Sequence, residues 1–377
     1  MDDNLKVLVN LSTLKKGGGQ NVALNFLHAL ENVHVKNTKF FFLVAEGSPI
    51  HGLLKSHNMF DFHAVSQNPI KRILFEIFSS GKFLRESKID IIYSYFGFGL
   101  FDKDIPQVSG SADSNLYFPE IDFWEGYHGI SRIKKSIIDN YRIWGLKRSN
   151  AVIYENKSLE LIGRDLFSVK RSVTIKPSIN FNFESISCQF LNNLHSNIPV
   201  GLFLCGWQLN KNYMKIPDIA LLIKRRNQDF HFVLTAPLDN SKEHLAFMKR
   251  LKDLGVEEMV SVIGPVNKSK LKSLYSRIDI VFLLSKLESF SNNIIEAWYF
   301  ERPLIVADEM WSREICQNAA VFVNRNSVKG IVDAIENMTN QVDKLVMRGK
   351  VELEKYPTIE ERIVLEMEFV RDVYQNN

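Results

Sequence analysis

Cysteine is scarce: Cys188, Cys205 and Cys316 are the only three in 377 residues. No two of them form a CxxC pair. Neither a zinc framework nor a disulfide ladder is therefore visible, and a reducing compartment suits the chain. Long apolar runs are also missing. The run 40–45 is long enough for one short buried strand, far below the roughly 18 residues of a spanning helix. The opening residues, MDDNLKVLVN, lack the basic start and apolar stretch of a secretory signal. Excess charge of one sign is absent as well. With 47 basic and 43 acidic side chains, the formal net charge is +4, too small to mark a nucleic-acid binder. These absences argue against disulfide-stapled, secreted and membrane-spanning classes and set the expectation of a cytoplasmic protein with no nucleic-acid partner.

What is present is ordinary globular material, 45% hydrophobic and 24% charged, in a length that suits about two domains. Apolar β-rich runs alternate with helical periodicity. Strands are predicted over 6–12, 40–45, 89–95, around Val108 and over 151–154. Helices are predicted over 20–30, 70–88 and 131–148. The second half repeats the plan, with strands near 200–205, 231–235, 260–264, 278–284 and 304–306 and a helix over 242–254. Such alternation specifies open parallel α/β sheets. Between the halves, 176–197 is aperiodic and holds Asn192, Asn193, His195, Ser196 and Asn197. The predicted domains are 1–178, joined by a C-terminal crossing helix at 358–377, and 179–357.

Ligand crevices in parallel sheets lie beyond the carboxyl ends of the strands, so the loops after strands carry the chemistry. The richest block runs IDIVFLLSKLESFSNNIIEAWYFERPLIV, residues 278–306. Ser285 and Glu288 follow a strand, and a helix carrying Glu296 comes next. Ser289, Ser291 and Asn292 are the expected caps of that helix, and its first amides form an anion site suited to a diphosphate. Glu288 and Glu296 are better suited to accept hydrogen bonds from sugar hydroxyls than to touch a phosphate.

Glu288 and Glu296, with seven residues between them, Ser285 before them and Pro303 after, resemble the E-x7-E block of retaining GT-B glycosyltransferases, and of glycosyltransferase family 4 in particular. The resemblance implies a GT-B fold: two facing Rossmann-like parallel-sheet domains, the first on the acceptor side, the second binding the nucleotide-sugar donor, with the site in the interdomain cleft. It implies that Glu288 lies at the donor sugar, that Glu296 holds the ribose, and that the backbone of Ser289, Phe290, Ser291, Asn292 and Asn293 meets the diphosphate.

Three further loops fit that reading in part. The run Gly17-Gly18-Gly19 removes side-chain bulk where a backbone must approach a ligand. It is neither a dinucleotide fingerprint nor a phosphate-binding loop of the Walker type. By resemblance, Gly18, Gly19 and Gln20, with Asn21, lie against the donor. In the loop Cys205-Gly206-Trp207-Gln208-Leu209-Asn210-Lys211, Gly206 and Lys211 match the family, and Lys211 is implied as a catalytic cation on the diphosphate. The family's arginine is replaced here by Trp207 or Gln208, which leaves Lys286 and Arg302 as candidate substitutes. In the loop 106–120 the family's His-Asp pair is reduced to Ala112-Asp113. Asp113 is kept as a catalytic candidate, with Tyr117 and Glu120 as acceptor-side groups.

The expected activity is transfer of a hexosyl-type sugar, with retention, from a nucleotide-diphosphate sugar to an acceptor hydroxyl. The implied setting is bacterial surface polysaccharide synthesis of the O-antigen, capsule or lipopolysaccharide type, on a lipid-linked or oligosaccharide acceptor. No metal and no other cofactor is expected, the nucleotide sugar being a substrate. The alternative is a non-catalytic nucleotide-sugar or glycan-binding protein on the same fold. The charge asymmetry adds one partner. Residues 1–180 hold 23 basic and 18 acidic side chains, and the remainder 24 and 25. Segments 71–88 and 131–148 are basic and amphipathic. Such helices lie on an anionic membrane surface, here the inner face of the cytoplasmic membrane, or present plain solvated faces.

Overall fold

The computed structural model describes residues 4–15, 17–57, 60–97, 100, 102–178 and 198–377. The expected domain boundary at 178/179 and the polar cluster Asn192–Asn197 border or fall in 179–197, outside the described residues. The chain divides into two compact units. One holds 4–120, 127–178 and 357–377 of the described residues, the other 121–126 and 198–356.

The first unit is built on seven strands: β1 (Leu5–Asn10), β2 (Thr38–Ala45), β3 (Asp61–Val65), β4 (Ile91–Ser94), β5 (Gln107–Ser111), β6 (Ala151–Tyr154) and β7 (Ser172–Thr174). They pair in parallel in the order β3-β2-β1-β4-β5-β6-β7. β1 and β4 are neighbours although the chain leaves β1 for the opposite edge first. That reversal is the switch point at which open sheets leave a crevice. Strands β4, β5 and β6 are buried at every residue, as expected of strands covered on both faces. Val7, Val9, Phe42, Ile91 and Ile153 supply the sheet side of the core. The helix Ile359–Gln375, opened by a Thr358/Glu361 capping box, buries Ile363, Met367, Val370 and Val373 in the same core.

β5 runs so close to the end of β4 that a Cβ on Gly110 would stand 1.9 Å from the Tyr95 carbonyl oxygen. The obstruction is backbone and cannot rotate away. Gly110→Ala is expected to destabilise the first unit by about 2 kcal/mol, the middle of the range for overpacking, read as a lowered melting temperature.

The second unit repeats the order with six strands: β8 (Val200–Phe203), β9 (His231–Leu234), β10 (Val260–Val262), β11 (Ile280–Leu283), β12 (Leu304–Ala307) and β13 (Val321–Val323). The sheet reads β10-β9-β8-β11-β12-β13, all parallel, with its switch point between β8 and β11. Phe203 and Phe282 stack at 4.9 Å across those two strands.

Two local differences from the sequence reading matter. The glycine run is not a loop, because the helix Gly17–Leu30 starts on it. Glycines in a first helical turn leave its unpaired amides unshielded, since no side chain stands beside them. The stretch 70–88 is broken: Pro69–Leu74 and Ser80–Glu86 are α-helical, and Phe75–Ser79 between them forms a π-turn.

Candidate functional site

The second unit's switch point places two loops side by side. The loop after β8 runs into a short 3-10 turn, Leu209–Lys211, and then turns sharply at Asn212, which takes the left-handed conformation (φ 60°). The loop after β11 carries Ser285 to Ser291. Two bonds stitch them together: the Lys286 backbone amide donates to the Asn210 carbonyl at 2.7 Å, and Asn210 Nδ2 donates to the Leu287 carbonyl at 3.5 Å. The result is an ion pair between the Lys211 ammonium and the Glu288 carboxylate, with side chains only 21% and 13% exposed. The sequence named both residues but not their contact.

The helix Asn292–Tyr299 begins beside this pair. Asn293 Nδ2 donates to the Leu204 carbonyl at 2.8 Å, which fixes the helix start to the end of β8. Ser291 is its N-cap residue, yet its side chain makes no capping bond. The expected serine cap is therefore not formed there. Helix N-termini left without such a bond attract anions, because partial positive charge gathers on the first amides.

Glu296 lies one turn inside that helix and is 8% exposed. Burial pushes its carboxyl up to about 7, against the pull of Lys268 and of the Tyr275 hydroxyl, which donates to Oε2 at 3.4 Å. Lys268 and Tyr275 escaped the sequence reading because ordinary Lys and Tyr in a helix carry no motif.

The remaining loop residues fall into place around this centre. Gly206 precedes Trp207, whose indole nitrogen donates to the Pro237 carbonyl at 2.8 Å and whose ring packs on Tyr213, His244 and Phe247. Trp207 is thus committed to packing. Phe290 packs on Tyr356 at 5.7 Å between ring centres. Burial pushes the Cys205 thiol up to about 12, so it is no thiolate nucleophile near neutrality.

Neither substitute for the family's arginine is open. Lys286 donates to Glu125 Oε2 at 2.6 Å and to the Asp122 carbonyl at 3.2 Å. Arg302 precedes β12 and so sits at the amino-terminal edge of the sheet, one strand length from the loops of the site. A cation that the sequence reading passed over is Arg325, just after β13. Its carbonyl accepts from Asn212 Nδ2 at 2.8 Å and its Nε meets Glu309 at 3.0 Å. β13 is only three residues long, so its following loop was not recognised as one.

The first unit has its own switch-point loops. Asn10 Oδ1, at the end of β1, accepts from the Ser12 amide and hydroxyl, and Thr13 Oγ1 donates to the Phe96 carbonyl after β4. Gly18, Gly19, Gln20 and Asn21 occupy the first turns of the helix that follows. A Cβ would meet nothing within 4 Å at Gly18, but would stand 3.1 Å from Leu14 at Gly19. Asp113 follows β5 and pairs with Arg142 at 3.3 Å. Burial raises its carboxyl while Arg142 opposes the rise. Glu120 is exposed. Tyr117 differs from expectation: it is 2% exposed, hydrogen-bonded to Ser111 and packed on Tyr154 and Phe167. Its surface is spent on the core rather than on an acceptor.

Among the described residues no helix is long and apolar enough to cross a membrane. The stretch 202–350, which holds Gly206, Lys211, Glu288 and Glu296, matches the family model of glycosyl transferases group 1. No curated protein sequence matches the chain. Solved structures match over nearly its full length. Sucrose-phosphate synthase from Thermosynechococcus elongatus superposes with a TM-score of 0.75 at 12% identity, covering 99% of this chain and 100% of its own. The chain has the GT-B fold. Two other GT-B relatives are HepE of Anabaena, solved with UDP and glucose, and WaaG, a glycosyltransferase involved in lipopolysaccharide biosynthesis. HepE matches with TM-score 0.66, 13% identity and coverage of 97% and 99%. WaaG matches with TM-score 0.68, 12% identity and coverage of 95% and 98%. The matched region lies in the second unit and supports glycosyl transfer, and the solved structures share the fold.

Proposed function

We propose that the protein is a retaining glycosyltransferase that moves a hexosyl group from a nucleoside-diphosphate sugar to an acceptor hydroxyl. The observation that carries the reading is the Lys211–Glu288 pair beside the N-terminus of the helix Asn292–Tyr299, inside the matched region. Breaking the glycosidic bond leaves charge on the departing diphosphate. Lys211 and the helix's first amides stabilise that charge where it develops. Glu288 accepts hydrogen bonds from the donor sugar, and Glu296 from the ribose. The departing phosphate takes the acceptor proton on the same face, so the anomeric configuration is kept without an enzyme nucleophile. No metal or other cofactor enters this scheme. Asp113 and Glu120 serve the acceptor, and the glycine turn at Gly18 and Gly19 serves the donor. The acceptor is a lipid-linked sugar of a bacterial surface polysaccharide such as lipopolysaccharide.

The direct test is incubation with a panel of nucleotide sugars and lipid-linked acceptors, with product configuration read by proton NMR. Turnover with inversion would refute retention. Binding of nucleotide without turnover on any acceptor would favour a non-catalytic glycan-binding role.

Glu296 adds a pH signature. As a carboxylate it accepts from both ribose hydroxyls, whereas the protonated acid turns one oxygen into a donor, and burial pushes this carboxyl up to about 7. UDP, the nucleotide held by HepE, is the probe. One unit below that value the group is about nine-tenths protonated, so affinity falls by up to about tenfold. Affinity rises with pH through neutrality and then levels, and binding releases a proton. Calorimetry in buffers of different ionisation enthalpy measures both effects, and Glu296→Gln is expected to flatten the profile.

A further inference from the structure

Two neighbouring stretches of the first unit leave large apolar side chains in water. On the run from Pro69 through the π-turn, Ile70, Leu74, Ile77 and Phe78 are exposed, Phe78 at 77%. On the helix Gly129–Arg148, Ile130, Ile133 and Ile137 recur at three- and four-residue steps, and Ile130 is 73% exposed. That spacing makes one face of a helix, and here the face is turned outward.

The two stretches meet. Tyr141, one turn beyond Ile137, donates its hydroxyl to Glu76 Oε2 at 2.8 Å, and Ile77 follows Glu76 directly. The contact lies between the two apolar rows. It also absorbs a carboxylate, since Glu76 is buried and paired with Arg72 at 3.3 Å. Asp139, the one acid in 131–148, pairs with Arg142 at 3.5 Å. The basic side chains of that helix number six. Lys71 and Lys134, one on each stretch, are exposed. The face is therefore apolar, bordered by cations, with its acids neutralised from within.

We propose that this two-helix face docks on an anionic lipid bilayer, with Ile77, Phe78, Ile130 and Ile133 entering the headgroup–acyl boundary and the lysines meeting lipid phosphates. Charge complementarity selects this occupant. A second copy of the chain would set the same row of cations against itself, which costs free energy, whereas an anionic surface is attracted by each one. Single protruding side chains without a groove also suit a fluid phase, in which each finds its own depth. The inference extends the proposed transfer to a lipid-linked acceptor, but binding to vesicles needs no substrate, so the two readings fail separately.

The test is vesicle flotation of the full chain with phosphatidylcholine alone and with phosphatidylcholine containing phosphatidylglycerol. Binding is expected only with the anionic lipid, and added salt should weaken it. Lys71→Ala with Lys134→Ala should lower partitioning roughly thirty-fold, the factor for about one kcal/mol per lost cation. Phe78→Ser should lower it roughly tenfold. Arg72 is left intact because it pairs with buried Glu76. Unchanged circular dichroism, melting and UDP binding show that the variants fold. Absence of binding to anionic vesicles would overturn the proposal, as would binding that both variants retain. A dimer in sedimentation equilibrium that Phe78→Ser dissociates would instead assign the face to a second copy.

Discussion

Lys211→Ala is expected to lower turnover of the nucleotide sugar by about 10²–10³-fold, the usual cost of removing one group that stabilises transition-state charge. The Lys211–Glu288 pair makes the expectation more specific than the loss of one cation. Without a ligand the ammonium is held by the Glu288 carboxylate in a largely shielded setting. A diphosphate must share that ammonium or take it over. Removing Lys211 leaves Glu288 unpaired beside an anionic ligand, so UDP binding should weaken together with turnover. Glu288→Gln should do the opposite to binding. It frees the lysine, so UDP should bind more tightly, while turnover falls because the donor sugar loses its acceptor group. In the double variant, binding should recover part of the loss in Lys211→Ala while turnover stays low. Calorimetry with UDP and steady-state release of nucleoside diphosphate measure the two quantities independently. Equal losses in both single variants would mean that the pair only holds the loops together. Unchanged turnover in Lys211→Ala would remove the site assignment.

The individual members of that pair were legible in the sequence, because each sits in a loop directly after a buried strand and keeps a recognisable local pattern. Their contact was not. It depends on β8 and β11 lying side by side, and these strands are separated in the chain by β9 and β10. The fold divides in the same way. β6 and the helix Lys242–Leu254 were read to the residue. The strand is a four-residue apolar run, and the helix is bounded by a Ser241 cap and by Gly255 at φ 64°. β3, β7 and β13 were missed, and all three are edge strands. The partly exposed faces of β3 and β7 admit polar residues, as in DFHAV and SVT, so no continuous apolar run marks them, while β13, VFV, is apolar but only three residues long. Tyr117 and Trp207 show the limit for single residues. Either could have faced a ligand, and only the packing around each ring reveals that its surface is already used.

Replacing Arg362 by Met is expected to cost the first unit about 3–5 kcal/mol, the penalty for breaking a buried charge cluster by removing one partner. Arg362 stands on the helix Ile359–Gln375 and is nearly inaccessible. Its Nε donates to Glu366 Oε1 at 2.7 Å, and its two terminal nitrogens reach Glu155 Oε1 at 3.3 and 3.4 Å. Glu155 follows β6 directly, so this one guanidinium ties the last helix of the chain to the carboxyl end of an interior strand of the first sheet. Burial raises both carboxyls above their ordinary range, and Arg362 is the main force pulling them back. Without it they rise further. A carboxyl whose folded value is raised binds more protons when folded, so stability falls as pH climbs from the unfolded value of about 4.3 to the raised value, and is level above it. The variant should therefore be weakest at neutral pH and regain stability on acidification. Adding Glu366→Leu should recover part of the loss at neutral pH, because one buried charge is gone. Arg362→Lys should fall between, since a single ammonium cannot fork to two carboxylates. Hydrogen exchange at the β4 amides, followed against pH, measures the effect in this unit alone. A loss of less than about 1 kcal/mol, or one that does not change with pH, would mean that the apolar side chains Ile363, Met367, Val370 and Val373 hold the helix without help from the charge.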